Sequence, residues 1–304
     1  MTMEFAINYS RAAEELVRAG KVCADRFKCP AWQDLVTTVQ RAHPVYVHFP
    51  LLVGAGIGGA IDAETNAPAD WNKVEVLLAQ TDTAFVNLHL APTTREYPNV
   101  PSKTTEPTHV EMIVENLLRD VRAVTQRFGA ARVIVENIAP DGGATMLPAL
   151  MPHPIRRIVN ETGCGFLLDL AHVRLAAKYL GMDEREYVGA LPVEAIREVH
   201  ITGVQRLAGH FVELLHRAKV EYNFLESMLG QELDHLPMTE PDWSFAEWSL
   251  AQIHSGAWRQ PWAVAFEYGG VGALWEAATD AAVLERDVPR LGQMVSGCRF
   301  QVQG

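Results

Sequence analysis

A chain of 304 residues, 48% of them hydrophobic and with a mean hydropathy near zero, has material for one large α/β core. Its formal net charge of −11 argues against sequence-independent nucleic-acid binding, which needs Lys and Arg to neutralise phosphates. No stretch approaches the ~20 apolar residues of a membrane-spanning helix, and the first residues lack a secretory pattern, so a cytoplasmic protein is expected.

In chain order, Phe5-Ala6-Ile7-Asn8-Tyr9 reads as a strand, and Ser10 as the cap of a helix from Arg11 to Ala19. A helix over 31–41 leads to the strand Val45-Tyr46-Val47-His48. The glycine-rich run 54–59 has the letters of a phosphate loop, but the preceding strand ends several residues before it, so a flexible loop beside a site is expected instead. A helix over 69–80 returns to the strand 84–89, which ends on His89, and 92–107 is a polar loop suited to covering a site.

The helix 110–128 places Met112, Val114, Leu117, Leu118, Val121 and Val124 on one stripe for packing on a sheet. It feeds the strand 132–137, ending in Glu136 and Asn137. After Asp141-Gly142-Gly143 and a helix over 154–161, the apolar run from Gly163 closes on Asp169, and His172 opens a helix to Leu180. His200 lies in the strand 198–201, and a long helix is expected over 207–229. A weakly marked strand over 233–238 holds Asp234 and His235, a helix covers 244–253, the strand 262–267 ends on Glu267, and two helical stretches finish the chain. Cys23, Cys29, Cys164 and Cys298 match no zinc or redox spacing and read as free thiols in a reducing compartment.

Repeated strand-then-helix units favour a single (β/α)8 barrel, one catalytic domain over 1–304, against an open doubly wound sheet. Seven strands are legible, and the eighth is inferred at 233–238. At strand ends stand His48, His89, Glu136, Asp169, His172, His200, Asp234, His235 and Glu267, all of metal-ligand type. Each alone is more often a hydrogen-bonded core histidine or a paired acid than a ligand. Together they exceed what one ion can use, and a cation is the natural counter-charge for so many buried ionisable groups, so two or three ions bridged by carboxylates are expected.

In this order the residues resemble the superfamily of endonuclease IV and the xylose-isomerase-like barrels, and within it the multinuclear non-haem iron-dependent oxidases, which include the methanobactin-forming enzyme. The resemblance rests on residues 5–10, Val47-His48, Leu88-His89-Leu90, Glu136-Asn137, Leu167-Leu168-Asp169, Val199-His200-Ile201-Thr202-Gly203 and Phe266-Glu267-Tyr268. The chain departs from the family where Asp234 directly precedes His235 in place of Asp-x-His, where His172 replaces a common amide, and where Tyr268-Gly269-Gly270 follows Glu267.

The resemblance implies O2-dependent, iron-centred oxidation of a peptide, usually at cysteine of a ribosomally made precursor that a partner protein presents. It implies the nine strand-end groups as ligands, Asp234 provisionally, with catalytic roles on Glu136, Asp169, His172 and Glu267. It implies that Asn8, Tyr9 and Asn87 line the pocket and that Asn137 orients Glu136 or binds substrate. Three other readings stay open: a zinc or manganese phosphodiesterase like endonuclease IV, against which the acidic charge speaks; a sugar isomerase or epimerase using Glu136 and Glu267 as acid and base; and a non-enzymatic precursor-binding protein on a barrel, against which the ligand inventory speaks.

Overall fold

The computed structural model describes residues 3–141, 143–217 and 229–297. Gly142, residues 218–228 of the expected long helix, the His210 side chain and Cys298 lie outside them.

The first third of the chain runs β1 (Glu4–Asn8), α1 (Arg11–Arg18), β2 (Arg26–Pro30), α2 (Gln33–Val39), β3 (Val45–His48), β4 (Leu51–Val53), β5 (Ile61–Asp62), β6 (Ala67–Pro68), α3 (Trp71–Gln80) and β7 (Val86–Leu90). The middle third runs α4 (Pro107–Phe128), β8 (Val133–Glu136), α5 (Pro152–Thr162), β9 (Gly165–Asp169), α6 (Leu170–Leu180), α7 (Glu184–Ala190) and β10 (Ile196–Ile201). The rest holds β11 (Gly203–Arg206), α8 (His210–Arg217), β12 (Glu232–Leu236), α9 (Glu240–His254), β13 (Ala263–Phe266), α10 (Ala273–Ala278) and α11 (Ala281–Ser296). The alternation of strand and helix is the expected one. Contacts divide the chain into one unit of Met1–Lys28 with Val199–Gly304 and a second of Cys29–Glu198.

In the first unit, β1 pairs in parallel with β13, Glu4 opposite Ala263 through Ile7 opposite Phe266, and with β2, Ala6 opposite Arg26 through Asn8 opposite Lys28. The Ser10 hydroxyl accepts from Ala13 N as the sequence implies, and α11 lies against α1 and β1. Two expectations change here. Residues 207–209 are not helical, and α8 starts at His210. The strand over 232–236 exists, but it pairs antiparallel with β11 in a separate two-stranded sheet.

β2 is one of the strands that the sequence did not mark. Its charged residues alternate with apolar ones, and they are buried against carboxylates: Arg26 grips Glu4 at 2.5 and 2.8 Å, and Lys28 is paired with Glu267. A half-buried strand normally shows polar residues outward, so charge on an inward face hides it.

In the second unit the strand order is β9-β8-β7-β4-β5-β6, parallel from β9 to β4 and antiparallel across β4, β5 and β6. Helix α4 packs on β4, β7 and β8 through Ile113, Val114, Leu117, Leu118, Val121 and Val124. Ile113 takes the place expected for Met112, which is exposed. Asp120 also sits on that apolar face, fully buried, because it serves the glycine-rich run. Its Oδ2 accepts from Gly54 N at 2.9 Å and Gly56 N at 2.8 Å, and its Oδ1 from Gly58 N at 2.8 Å and Gly59 N at 3.4 Å. Gly54 holds φ 127°, and a Cβ there would come within 2.8 Å of Pro92, so glycine is required. The run is thus an anion nest filled by the protein's own carboxylate rather than an open phosphate loop.

Candidate metal centre

Strand ends in the second unit gather five of the expected groups. Glu136 and Asp169, closing β8 and β9, are buried, and a carboxylate oxygen of each lies within 4.8 Å of an imidazole nitrogen of His172 and of the other. Asp169 is also the N-cap of α6, accepting from His172 N at 2.7 Å, which is why this strand passes straight into a helix and lays the imidazole beside both carboxylates. His172 Nδ1 stands 3.6 Å from Glu136 Oε1 and 3.8 Å from Asp169 Oδ1. On the other side of Glu136, Oε2 lies 3.2 Å from His89 Nε2 and 3.5 Å from His48 Nε2.

The backbone fixes which ring nitrogens carry lone pairs. His172 Nδ1 lies 2.7 Å from the Asn137 carbonyl and His89 Nδ1 lies 3.1 Å from the Leu51 carbonyl. A carbonyl only accepts, so each Nδ1 donates and each neutral ring carries its lone pair on Nε2. His48 Nε2 faces the Asn87 amide nitrogen at 3.1 Å, a donor, and so is an acceptor as well. Yet His48 Nε2 and His89 Nε2 are 3.2 Å apart, with Glu136 Oε2 against both. Three acceptor atoms this close repel one another unless a proton or a cation sits among them. The donor set, imidazole nitrogen and carboxylate oxygen, suits a divalent first-row metal, and backbone carbonyls orienting the imidazoles are the usual support for such ligands.

Two buried asparagines hold this arrangement. Asn137 Nδ2 donates to the Asp169 carbonyl and its Oδ1 accepts from Asp169 N, both at 2.9 Å. Asn87 treats Phe49 alike, accepting from its N at 2.7 Å and donating to its carbonyl at 3.0 Å. A primary amide presents one donor and one acceptor side by side, so each side chain substitutes for a neighbouring strand's backbone just where the strands run out.

The first unit gathers three more. Glu267, one residue past β13, is buried, with Oε1 3.0 Å from His200 Nδ1 and Oε2 3.9 Å from His235 Nε2. Lys28, which sequence reasoning missed, donates to the same Oε1. Its signal was the alternation Arg26-Phe27-Lys28-Cys29, strand-like but for the charges. His235 holds φ 57°, an uncommon left-handed conformation for a non-glycine residue, and its ring lies 4.9 Å from that of Trp275. Its carbonyl accepts from Gly269 N at 3.2 Å.

Asn8 donates to the Gly269 carbonyl at 3.1 Å and lies 3.5 Å from His235 Nδ1. Tyr9 is buried, its hydroxyl donating to Glu14 at 2.8 Å and its ring edge-on to Phe27. Asp234, partly buried in β12, is the neighbour of the residue whose imidazole reaches toward Glu267. Cys29 and Cys164 are buried free thiols and Cys23 an exposed one.

Comparison with known proteins bears on the fold and the family. The chain is 25% identical over 189 residues to a UPF0276 protein of Rhizorhabdus wittichii, covering 60% of this chain and 63% of that one. It is 28% identical over 174 residues to a UPF0276 protein of Caulobacter vibrioides, covering 54% and 56%. The chain thus spans less than two thirds of the length of these curated relatives. Among solved structures it resembles a xylose isomerase domain-containing protein of Salmonella typhimurium, with TM-score 0.53, 16% identity, and 97% and 99% of the two chains covered. It also resembles a D-tagatose 3-epimerase-like protein, with TM-score 0.53, 13% identity, and 97% and 98% covered. At such identity these likenesses speak for the fold alone, the (β/α)8 class expected from the strand and helix alternation. The profile of the RiPP precursor modification enzymes MbnB/TglH/ChrH, which act on ribosomally made peptides, matches residues 18–239, and with most of the sequence so matched the chain belongs to that family.

Proposed function

We propose that this chain is a multinuclear iron enzyme that uses O2 to oxidise a ribosomally made precursor peptide at cysteine, and that residues 1–304 serve this one catalytic purpose. The observation that carries the reading is the convergence of three acceptor atoms, His48 Nε2, His89 Nε2 and Glu136 Oε2, in a member of a precursor-modifying family. The proposed ligands are His48, His89, Glu136, Asp169 and His172 in the second unit and His200, His235 and Glu267 in the first.

Iron, when bound, supplies electrons for dioxygen and a seat for a substrate thiolate. The chain's own residues do the positioning. His89 and His172 are held in one tautomer by the Leu51 and Asn137 carbonyls, so their Nε2 atoms stay available without a proton being moved. Glu136 would offer one oxygen beside His48 and His89 and the other beside His172. Of the Asp234-His235 pair, His235 is the proposed ligand, because its imidazole reaches toward Glu267. The free thiols Cys23, Cys29 and Cys164 fit work in the cytoplasm, with the peptide presented by a partner protein.

The test is to express the chain with candidate cysteine-containing precursor peptides and to follow each peptide by mass spectrometry. The expected result is an O2-dependent mass change confined to a cysteine, lost in Glu136→Gln. A mass change that persists without O2, or that leaves the cysteines untouched, would overturn the assignment.

A further inference from the structure

Lys28 is buried in β2, with 6% of its side chain exposed, and its ammonium is paired with a Glu267 side chain that is 4% exposed. The same Oε1 lies 3.0 Å from His200 Nδ1, and Oε2 faces His235 Nε2 at 3.9 Å. Strand pairing on its β1 side fixes the Lys28 backbone. Asn8 lies opposite Lys28 in the strand register, and the Lys28 carbonyl accepts from Tyr9 N at 2.9 Å. Burying an ammonium is costly unless a carboxylate meets it, and here the carboxylate it meets is one with imidazoles on both oxygens. A fixed positive charge therefore stands on the oxygen that a divalent cation would use.

We propose that Lys28 sets the charge of the His200–His235–Glu267 cluster. Its ammonium neutralises Glu267 and holds it in place in the metal-free chain. By repulsion it also weakens the hold of this cluster on a divalent cation, making it the exchangeable position. This deepens the metal reading above and rests on it.

The experiment uses the full chain stripped with a chelator and titrated with Fe(II) without oxygen, and separately with Mn(II), against a chromophoric competitor. Thermal melts of each metal-free and metal-loaded form accompany the titrations. The wild-type chain is expected to show one tight and one weaker class of sites. Lys28→Met should tighten the weaker class by about tenfold or more, as expected for removing a unit charge beside a cation in a low-dielectric site, and shift the tight class less. Its metal-free form should melt earlier, because Glu267 loses its counter-charge, and should gain more from metal than the wild type does. Lys28→Gln removes the charge but keeps a donor for Glu267, so it reports the same shift should Lys28→Met not fold, and Lys28→Arg should titrate as the wild type. A weaker class left unchanged or loosened in Lys28→Met and Lys28→Gln would mean a purely structural ion pair and overturn the inference. A wild-type chain that binds neither ion would overturn the metal reading itself and this inference with it.

Discussion

Replacing Asp120 by alanine removes one side chain from α4 and uncovers four backbone N–H groups in the glycine-rich run. Three of these bonds, to Gly54, Gly56 and Gly58, are 2.8–2.9 Å long, and the fourth, to Gly59, is 3.4 Å. A hydrogen bond to a charged group contributes ~1.5–3 kcal/mol. The full sum does not apply, because Gly58 is exposed and its N–H regains water, whereas Gly54 is buried and does not. A loss of about 3–5 kcal/mol is therefore expected for Asp120→Ala. Asp120→Asn keeps one oxygen but turns an amide NH2 toward two donors, and should lose about 2–4 kcal/mol.

Urea unfolding with comparison of midpoints and slopes measures both. Sulfate adds a second readout: the vacated nest in Asp120→Ala should take the anion and recover stability beyond the wild-type response. A loss below about 1 kcal/mol for Asp120→Ala, or equal sulfate responses, would refute the view that this loop is saturated from within.

Asn137→Ala breaks both bonds to the Asp169 backbone, so stability should fall by about 2–3 kcal/mol in urea, and divalent metal binding at Glu136 and Asp169 should weaken at least about tenfold in a chelator competition. His235→Asn, which removes the imidazole while keeping a residue tolerant of positive φ, should lower metal content, and Asp234→Ala should leave it unchanged; the reverse pattern by elemental analysis would transfer the ligand role to Asp234. Burial pushes the Cys164 thiol up to about 11 from 9.0, so in the folded chain at pH 8 a thiol reagent should label exposed Cys23 and spare Cys164. Because the unfolded thiol ionises first, this group's contribution to stability is intact below pH 9.0 and declines as pH rises from there toward about 11, which alkaline unfolding curves of Cys164→Ser and wild type would compare.

The parts that could be read from sequence are those in which apolar runs end in a ligand-type residue. The runs before His48, Glu136, Asp169 and Glu267 all form strands, and each residue stands at or just past a strand end, because an apolar run bounded by turn residues has few other ways to be buried. What escaped notice was held by side chains acting against type. β2 hides its charges against Glu4 and Glu267, and β4, β5 and β6 are two or three residues long, too short for any periodicity. The sequence marks β12 as a strand but not as the antiparallel mate of β11, since pairing partners are set by tertiary contacts that no local pattern encodes. The resemblance makes Asn87 a pocket residue and Asn137 one that orients Glu136 or binds substrate; that each stands in for a strand's backbone depends on which main-chain groups are left over at strand ends, which only the fold reveals.

The most direct test of the central claim, that buried imidazoles and carboxylates here hold metal, is elemental analysis of chain reconstituted with iron and desalted without oxygen, beside Glu136→Gln. Retention of about two or more irons per wild-type chain, with clear loss in the variant at unchanged circular dichroism, is the predicted result. Fewer than about one iron per chain, or the same iron content in both proteins, would contradict it.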